Sequence, residues 1–223
     1  MKKLLCTLCL SVLSIGVSPS AFAEANVVIL MGAPGSGKST QAEKLSHALN
    51  VPAFTIAELY TNELKKQSDL GIQLKKEAFE GLVVTDKELV QLVVERSKNP
   101  DCQNGFILNG FPKTLEQAAA LRDQIDTQAH VTVFHLDLND QEAITRLADK
   151  PNSDDEVINE RLKAYHDKTE PLLFFYKKSC QLTSLDAKLN VDQMTSQMVQ
   201  ILKKHQEGHA TAACPTTPTE IPH

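Results

Sequence analysis

The run Gly32-Ala33-Pro34-Gly35-Ser36-Gly37-Lys38-Ser39-Thr40 constrains this chain more than any other. It meets the pattern G-x-x-x-x-G-K-[ST], and its flanks give that pattern meaning. Before it, Asn26-Val27-Val28-Ile29-Leu30-Met31 reads as a buried parallel strand. After it, Gln41 to Leu49 carries apolar residues at helical spacing. Glycines let the backbone curl until successive N–H groups converge on one anion. The helix N-terminus adds unpaired donors and a partial positive charge. Lys38 supplies a mobile ammonium for outer phosphates, and the Ser39 hydroxyl can reach a Mg²⁺ ion bound to them. A glycine-rich turn that binds nothing is the bland alternative, and the strand and helix on either side argue against it.

The remaining pattern alternates strands with helices. Val51 to Thr55 is expected as a short strand. Helices are expected from Ala57 to about Gln67 and from Leu70 to Glu80, the second closed by Gly81. Leu82 to Asp86 is a loop, with Asp86 as the expected cap of a helix over Lys87 to Ser97. Gly105 to Gly110 is a strand ending in glycine, Thr114 to Gln124 a helix, His130 to Asp137 a strand and Gln141 to Ala148 a helix. A polar break over Asp149 to Asp155 precedes one long helix, Glu156 to Lys178. A last strand over Gln181 to Leu185 and a last helix over Val191 to Lys204 complete the pattern. Such alternation predicts an α/β fold with a parallel sheet covered by helices on both faces.

The two ends read differently. Lys2 and Lys3, the apolar stretch Leu4 to Val17 and Ala21-Phe22-Ala23 form an export signal over residues 1–23, expected to place the mature protein in the periplasm or outside the cell. Its apolar run is short for a membrane span, so no membrane contact is expected after cleavage. Removing it leaves 200 of 223 residues, enough for one full core, and takes the formal charge from −5 to −7. That balance excludes a broad nucleic-acid footprint. Cys102, Cys180 and Cys214 remain, far apart and without a CxxC pair, which argues against structural zinc. One disulfide plus a free thiol and three isolated thiols both stay open. Residues 207–223 lack any hydrophobic period and are expected to be a disordered tail.

The second informative stretch is Asn104-Gly105-Phe106-Ile107-Leu108-Asn109-Gly110-Phe111-Pro112-Lys113-Thr114, with Gln117 beyond it. Together with GAPGSGKST, with Arg161-Leu162-Lys163-Ala164-Tyr165-His166 and with Glu170-Pro171-Leu172, it resembles the adenylate kinase family of nucleoside monophosphate kinases from about Asn26 to Lys204. The resemblance implies a P-loop NTPase core over 24–206, a helical NMP-binding insert at about 55–84 and a short lid at about 149–155. It implies transfer of the γ-phosphoryl of ATP to a nucleoside monophosphate, AMP first, with Mg²⁺, by a monomer. By position, Gly32, Gly35, Ser36, Gly37, Lys38, Ser39 and Thr40 would hold ATP phosphates, and Arg146 would cover the adenine. Ile56, Thr61, Val84, Gly110, Lys113 and Gln117 would line the monophosphate site. Lys38, Lys113, Lys150 and Arg161 would surround the transferred group. Ser39 would meet the metal, and Asn109 would reach it through water.

The departures from the family pattern lie at the acceptor and lid. Ile56 and Ala57 stand where the family writes threonine and glycine. Thr61 and Lys113 replace arginines, Asn109 replaces an aspartate, and Lys150 replaces a lid arginine. Asn152-Ser153 stand at an Asp-Asp pair, with Asp154-Asp155 alongside. Arginine to lysine keeps the charge but loses the bidentate fork, and Thr61 removes the charge altogether. Two alternatives therefore stay open: an ATP-binding pseudokinase, and a P-loop kinase with another acceptor. Lys113, Arg146 and Arg161 can also be read as solvated helix charges. His135 reads as a satisfied core or edge histidine. His205 and His209 lie four apart beside the tail, a weak metal pattern.

Overall fold

The computed structural model describes residues 25–80, 82–125, 129–149 and 154–206. Its centre is β1 (Ala25–Gly32), paired in parallel on both sides. One neighbour is β3 (Gly105–Asn109), in register from Asn26 opposite Gly105 to Leu30 opposite Asn109. The other is β4 (Ala129–Asp137), running from Ala25 opposite Ala129 to Gly32 opposite Leu136. With β2 (Ala53–Phe54) and β5 (Leu182–Asp186) outside them, the sheet has five parallel strands in the order β2-β3-β1-β4-β5.

Alternation along the strands builds two cores. Val27, Ile29 and Met31 pack on one face with Phe106, Leu108 and Val133. That face is covered by α3 (Asp69–Glu80), α4 (Asp86–Ser97), α5 (Leu115–Ile125) and α8 (Glu170–Lys178), through Leu74, Val93, Leu121 and Leu172. Val28 and Leu30 face the other way with Ile107, Phe134 and Leu136. There α1 (Lys38–Leu49), α6 (Asp140–Ala148), α7 (Asp155–Ala164) and α9 (Val191–Gln206) add Leu45, Ala143, Leu162 and Met198. Each fully buried aliphatic side chain contributes roughly 1.5–3 kcal/mol, so a slip of β1 by one residue would lose packing on both faces. No helix among the described residues is long and apolar enough to cross a membrane.

Four expectations change. The strand over Val51 to Thr55 is reduced to Ala53 and Phe54: Pro52 has no N–H and contributes only its carbonyl, which accepts from Ile107 N–H at 2.9 Å. Thr55 is already the cap of α2 (Ile56–Lys65), in a reciprocal box with Glu58, so this helix begins one residue before Ala57. Thr85, not Asp86, caps α4, in a second such box with Glu88. Finally, the long helix expected over Glu156 to Lys178 is broken by a π-turn at Tyr165–Thr169. Pro171 cannot donate to the carbonyl of Asp167, and the backbone widens, with Glu170 N–H reaching Tyr165 O instead.

Side chains pin that turn. His166 lies between Asp140, at 3.0 Å, and Glu170, at 2.8 Å, and bonding first to Glu170 and then to Asp140 raises its pKa. The charged tie between α6 and α8 is therefore complete at acid pH and is lost as pH climbs through the raised value. Tyr165 Oη meets His135 Nε2 at 3.0 Å, and the other ring nitrogen of His135 meets Ser184 Oγ at 3.3 Å. Burial lowers the pKa of His135 and pushes that of Tyr165 up to about 12, so the pair is neutral, and His135 is a satisfied core histidine. Cys102 is buried and free, and Cys180 is disulfide-bonded. His205 Nδ1 lies 3.3 Å from Thr132 Oγ1. The calls on residues 1–23, 207–223, Gly81, Lys150, Asn152-Ser153 and His209 fall outside the described residues.

Gly105 tests the register. Its φ is +117°, and a Cβ there would lie 2.0 Å from the Asn26 carbonyl oxygen of the paired strand. Gly105→Ala should lower stability by about 3 kcal/mol or more in urea unfolding. A loss below about 1 kcal/mol would show that the β1–β3 pairing is looser than described.

Candidate functional site

The ends of β1 and β3 deliver two loops to the same edge of the sheet. In open parallel sheets ligands bind beyond the carboxyl ends of the strands, where the connections diverge to either side. The β1 loop is shaped by Gly32, Gly35 and Gly37, with φ of +144°, +82° and +91°. At Gly32 a Cβ would lie 2.5 Å from Leu136 O, so only glycine lets the loop leave the strand beside β4. Ser36 N–H closes a turn on Ala33 O at 3.1 Å, and Ser36 itself is buried. Gly37 caps α1 with no side chain in the way.

Lys38 opens α1 and folds back over this loop. Its Nζ donates to Gly32 O and Ala33 O, both at 2.8 Å, and to Ser36 Oγ at 3.3 Å. Burial, and then the charge of Lys113, bring its pKa down to about 8. That second influence brings Lys113, which follows β3, into the field of Lys38. Beside them, Asn109 Nδ2 lies 3.2 Å from Ser39 Oγ. Gly110, with φ of +71°, donates its N–H to Leu30 O at 3.1 Å and locks the start of the second loop to β1.

Gln117 is buried in the first turn of α5. Its Oε1 accepts from Lys113 N–H at 2.7 Å, and its Nε2 donates to Asp86 Oδ1 at 2.7 Å. Val84 and Ile56 are half-buried against the adjoining core. Thr61 is exposed on α2 and spends its hydroxyl on Ala57 O at 2.8 Å. Arg146 is anchored by Glu142 at 3.1 Å and by Ala187 O at 3.1 Å, on the helix that Gly35 abuts. Arg161 is exposed on α7. Thus Lys38, Ser39, Asn109 and Lys113 come together, Gln117 adjoins them through Lys113, and Thr61, Arg146 and Arg161 stand on the surrounding helices.

Asp86 is the residue that sequence reasoning missed, because it was assigned to the cap. The signal was present: Thr85-x-x-Glu88 is a capping box, which frees the next side chain for other work. The donor set also fits a Mg²⁺ ion carried by phosphates. The Ser39 hydroxyl is an oxygen donor; Asn109 gives its Nδ2 to that hydroxyl at 3.2 Å, and its amide oxygen would reach the metal only through water, which suits a metal that keeps most of its water and needs few protein ligands. No cluster of three or more His, Cys, Asp or Glu among the described residues would hold a metal by itself. A broad depression of about 660 Å³ lies elsewhere, at the start of α9; its one carboxylate, Asp192, is paired with Lys44.

The family model described as adenylate kinase matches residues 30–181. An adenylate kinase of Mycolicibacterium paratuberculosis is 36% identical over 181 residues, covering 79% of this chain and 99% of that protein. One from Mycolicibacterium smegmatis is 38% identical over 154 residues, covering 67% and 85%. One from Mycobacterium tuberculosis is 34% identical over 181 residues, covering 79% and 99%.

Lys38 carries a pH signature. Its folded pKa of about 8 lies below the ordinary 10.5, so the unfolded chain holds more protons between those values. Stability should therefore rise with pH across that window. Relative to Lys38→Met, the wild type should gain about 3 kcal/mol from pH 8 to 10.5 in chemical unfolding. A constant difference between the two proteins would show that the ammonium is not buried as described.

Proposed function

The chain belongs to the adenylate kinase family, and we propose that it moves the γ-phosphoryl group of ATP to a nucleoside monophosphate, with AMP as the first acceptor. The observation that supports this reading is that the loops after β1 and β3 leave neighbouring strands at one edge of the sheet, where Asn109 Nδ2 lies 3.2 Å from Ser39 Oγ, with Lys38 and Lys113 carried on the same two loops. One cation belongs to the donor loop and the other to the acceptor loop. An oxygen of the acceptor's phosphate attacks the γ-phosphorus, the bond from that phosphorus to the β–γ bridging oxygen breaks, and two diphosphates leave. The attacking oxygen carries no proton that must be removed, so no general base is required. The work of the protein is alignment and charge.

In this reading the loop N–H groups and Lys38 hold the donor phosphates, Lys113 faces the acceptor phosphate, and Gln117 faces the acceptor base. Arg146 covers the donor base. Lys150 and Arg161, by their position in the family pattern, would clamp the phosphates. Ser39 and Asn109 would hold a Mg²⁺ ion, which neutralises charge on the donor phosphates when bound. The other residues assigned by position, Ile56, Thr61 and Val84, border the acceptor.

Thr61 and Asn109 favour a second reading, in which ATP is bound but transfer is slow or goes to a different acceptor. A charge-assisted hydrogen bond is worth roughly 1.5–3 kcal/mol, so one missing arginine corresponds to about tenfold to a hundredfold in kcat/KM. A coupled assay of residues 24–223 with Mg·ATP and each monophosphate tests both readings, with Lys38→Ala as the control. AMP-dependent ADP formation above that control is expected. Thr61→Arg, Asn109→Asp and Lys113→Arg together should raise kcat/KM for AMP and leave ATP affinity nearly unchanged. If the triple variant folds, binds ATP and stays inactive, another acceptor takes precedence.

We also propose that residues 1–23 direct export. Fractionation of a C-terminally tagged copy should recover a protein beginning at Glu24 outside the cytoplasm. Recovery of the uncleaved chain from the cytoplasm alone would overturn this.

A further inference from the structure

We propose that Asp86 fixes the Gln117 amide in one orientation and so sets discrimination between 6-amino and 6-oxo purines at the acceptor base. The inference rests on the acceptor reading of Gln117 given above and adds a residue to which neither the family motif nor the sequence reading assigned that task.

The geometry is a closed ring. Gln117 Nε2 donates to Asp86 Oδ1 at 2.7 Å, and the Thr114 hydroxyl donates to Asp86 Oδ2 at 3.1 Å. Thr114 Oγ1 accepts from Gln117 N–H at 3.2 Å, and Gln117 Oε1 accepts from Lys113 N–H at 2.7 Å. A carboxylate only accepts and a backbone N–H only donates. Turning the amide over would set its oxygen against the carboxylate and its NH₂ against the Lys113 N–H. Both contacts would be repulsive, and Gln117 is only 6% exposed, so water offers little compensation.

After these bonds the amide retains one N–H and one oxygen lone pair, side by side. Adenine presents the complementary pair, the N6 amino donor beside the N1 acceptor. A 6-oxopurine presents the reverse, an O6 acceptor beside an N1–H donor. An unrestrained glutamine meets either edge by rotating half a turn about its last bond. The Gln117 amide cannot, so it rejects one of them, and with AMP as acceptor the rejected edge is the 6-oxo one. Asp86 also stands two residues beyond Val84, so the same carboxylate links the segment that carries Val84 to the Gln117 amide.

The test is equilibrium binding of AMP and IMP to the full chain. The two nucleotides differ only at the 6-position and in the N1 proton, and binding requires no phosphoryl transfer. Wild type should prefer AMP by about tenfold or more. Asp86→Asn keeps the shape but can present either an oxygen or an N–H, which releases half of the lock. Its AMP preference should fall by about tenfold, in line with loss of one charge-assisted bond, while ATP affinity holds. Thr114→Val, which removes the bonds to the second carboxylate oxygen and to the Gln117 N–H but leaves Asp86 bound to the Gln117 amide, should move the preference in the same direction by less, and serves if Asp86→Asn does not fold. An unchanged preference in folded, ATP-binding variants overturns the proposal, as does wild type binding both nucleotides equally. Wild type that forms no ADP yet prefers AMP over IMP, with that preference reduced in Asp86→Asn, overturns phosphoryl transfer and supports the role of Asp86. Wild type that binds neither nucleotide overturns both.

Discussion

The ammonium of Lys38 has no carboxylate partner among the described residues; carbonyl oxygens of Gly32 and Ala33 and the Ser36 hydroxyl hold it. Neutral oxygens orient a cation without cancelling its charge. Burial and the nearby Lys113 then make the charged form expensive, which is why its pKa falls to about 8. A site in this condition gains the most from a polyanion, because the ligand supplies the counter-charge that the protein withholds. Asn109 belongs to the same arrangement: an amide beside Ser39 leaves the region more positive than a carboxylate would.

That arrangement depends on strand order. Placing β1 between β3 and β4 sets the glycine loop beside Asn109, Gly110 and Lys113, although more than seventy residues separate them. The close approaches at Gly32 and Gly105 set the register on the two sides of β1. At the joint between α2 and α3, a Cβ on Gly71 would lie 2.5 Å from Glu63 O, so α3 packs on the end of α2 at a distance that only glycine permits. Backbone contact, rather than side-chain contact, decides the geometry at each of these positions.

The strand, glycine loop and helix around Lys38 were legible in the sequence because every determinant lies within twenty-five residues, in a pattern with one physical solution. The alternation of strands and helices was legible for the same reason. The break at Tyr165–Thr169 was also encoded, in Pro171, but helical periodicity continues on both sides and hides it. The partnership of Asp86 with Gln117 was not legible, because it spans 31 residues and connects two helix starts that only the packing of α4 on α5 brings together. His166 is a similar case: its two carboxylate partners lie 26 residues before it and four after, and only the folded turn makes them a set. Local patterns reveal backbone shape, whereas polar side chains that meet across elements are specified by the completed core.

The substitutions relative to the family pattern do not fall evenly across the acceptor half. Thr61, Lys113 and Asn109 all alter the charge or the fork offered to a phosphate or its metal. The ring formed by Asp86, Thr114, Gln117 and the Lys113 backbone is complete, with each of its four hydrogen bonds between 2.7 and 3.2 Å. The ring requires the backbone N–H of Lys113 and not its side chain, so exchange of arginine for lysine there leaves the base-reading amide undisturbed. Thr61 is equally separate, since its hydroxyl bonds within α2. In the proposed reading, recognition of the base and electrostatic hold on the phosphate fall to different groups, the Gln117 amide at the start of α5 and the Lys113 side chain before it. Weakening the second would then leave the first intact, because the ring that holds the Gln117 amide contains no atom of the Lys113 side chain or of Thr61.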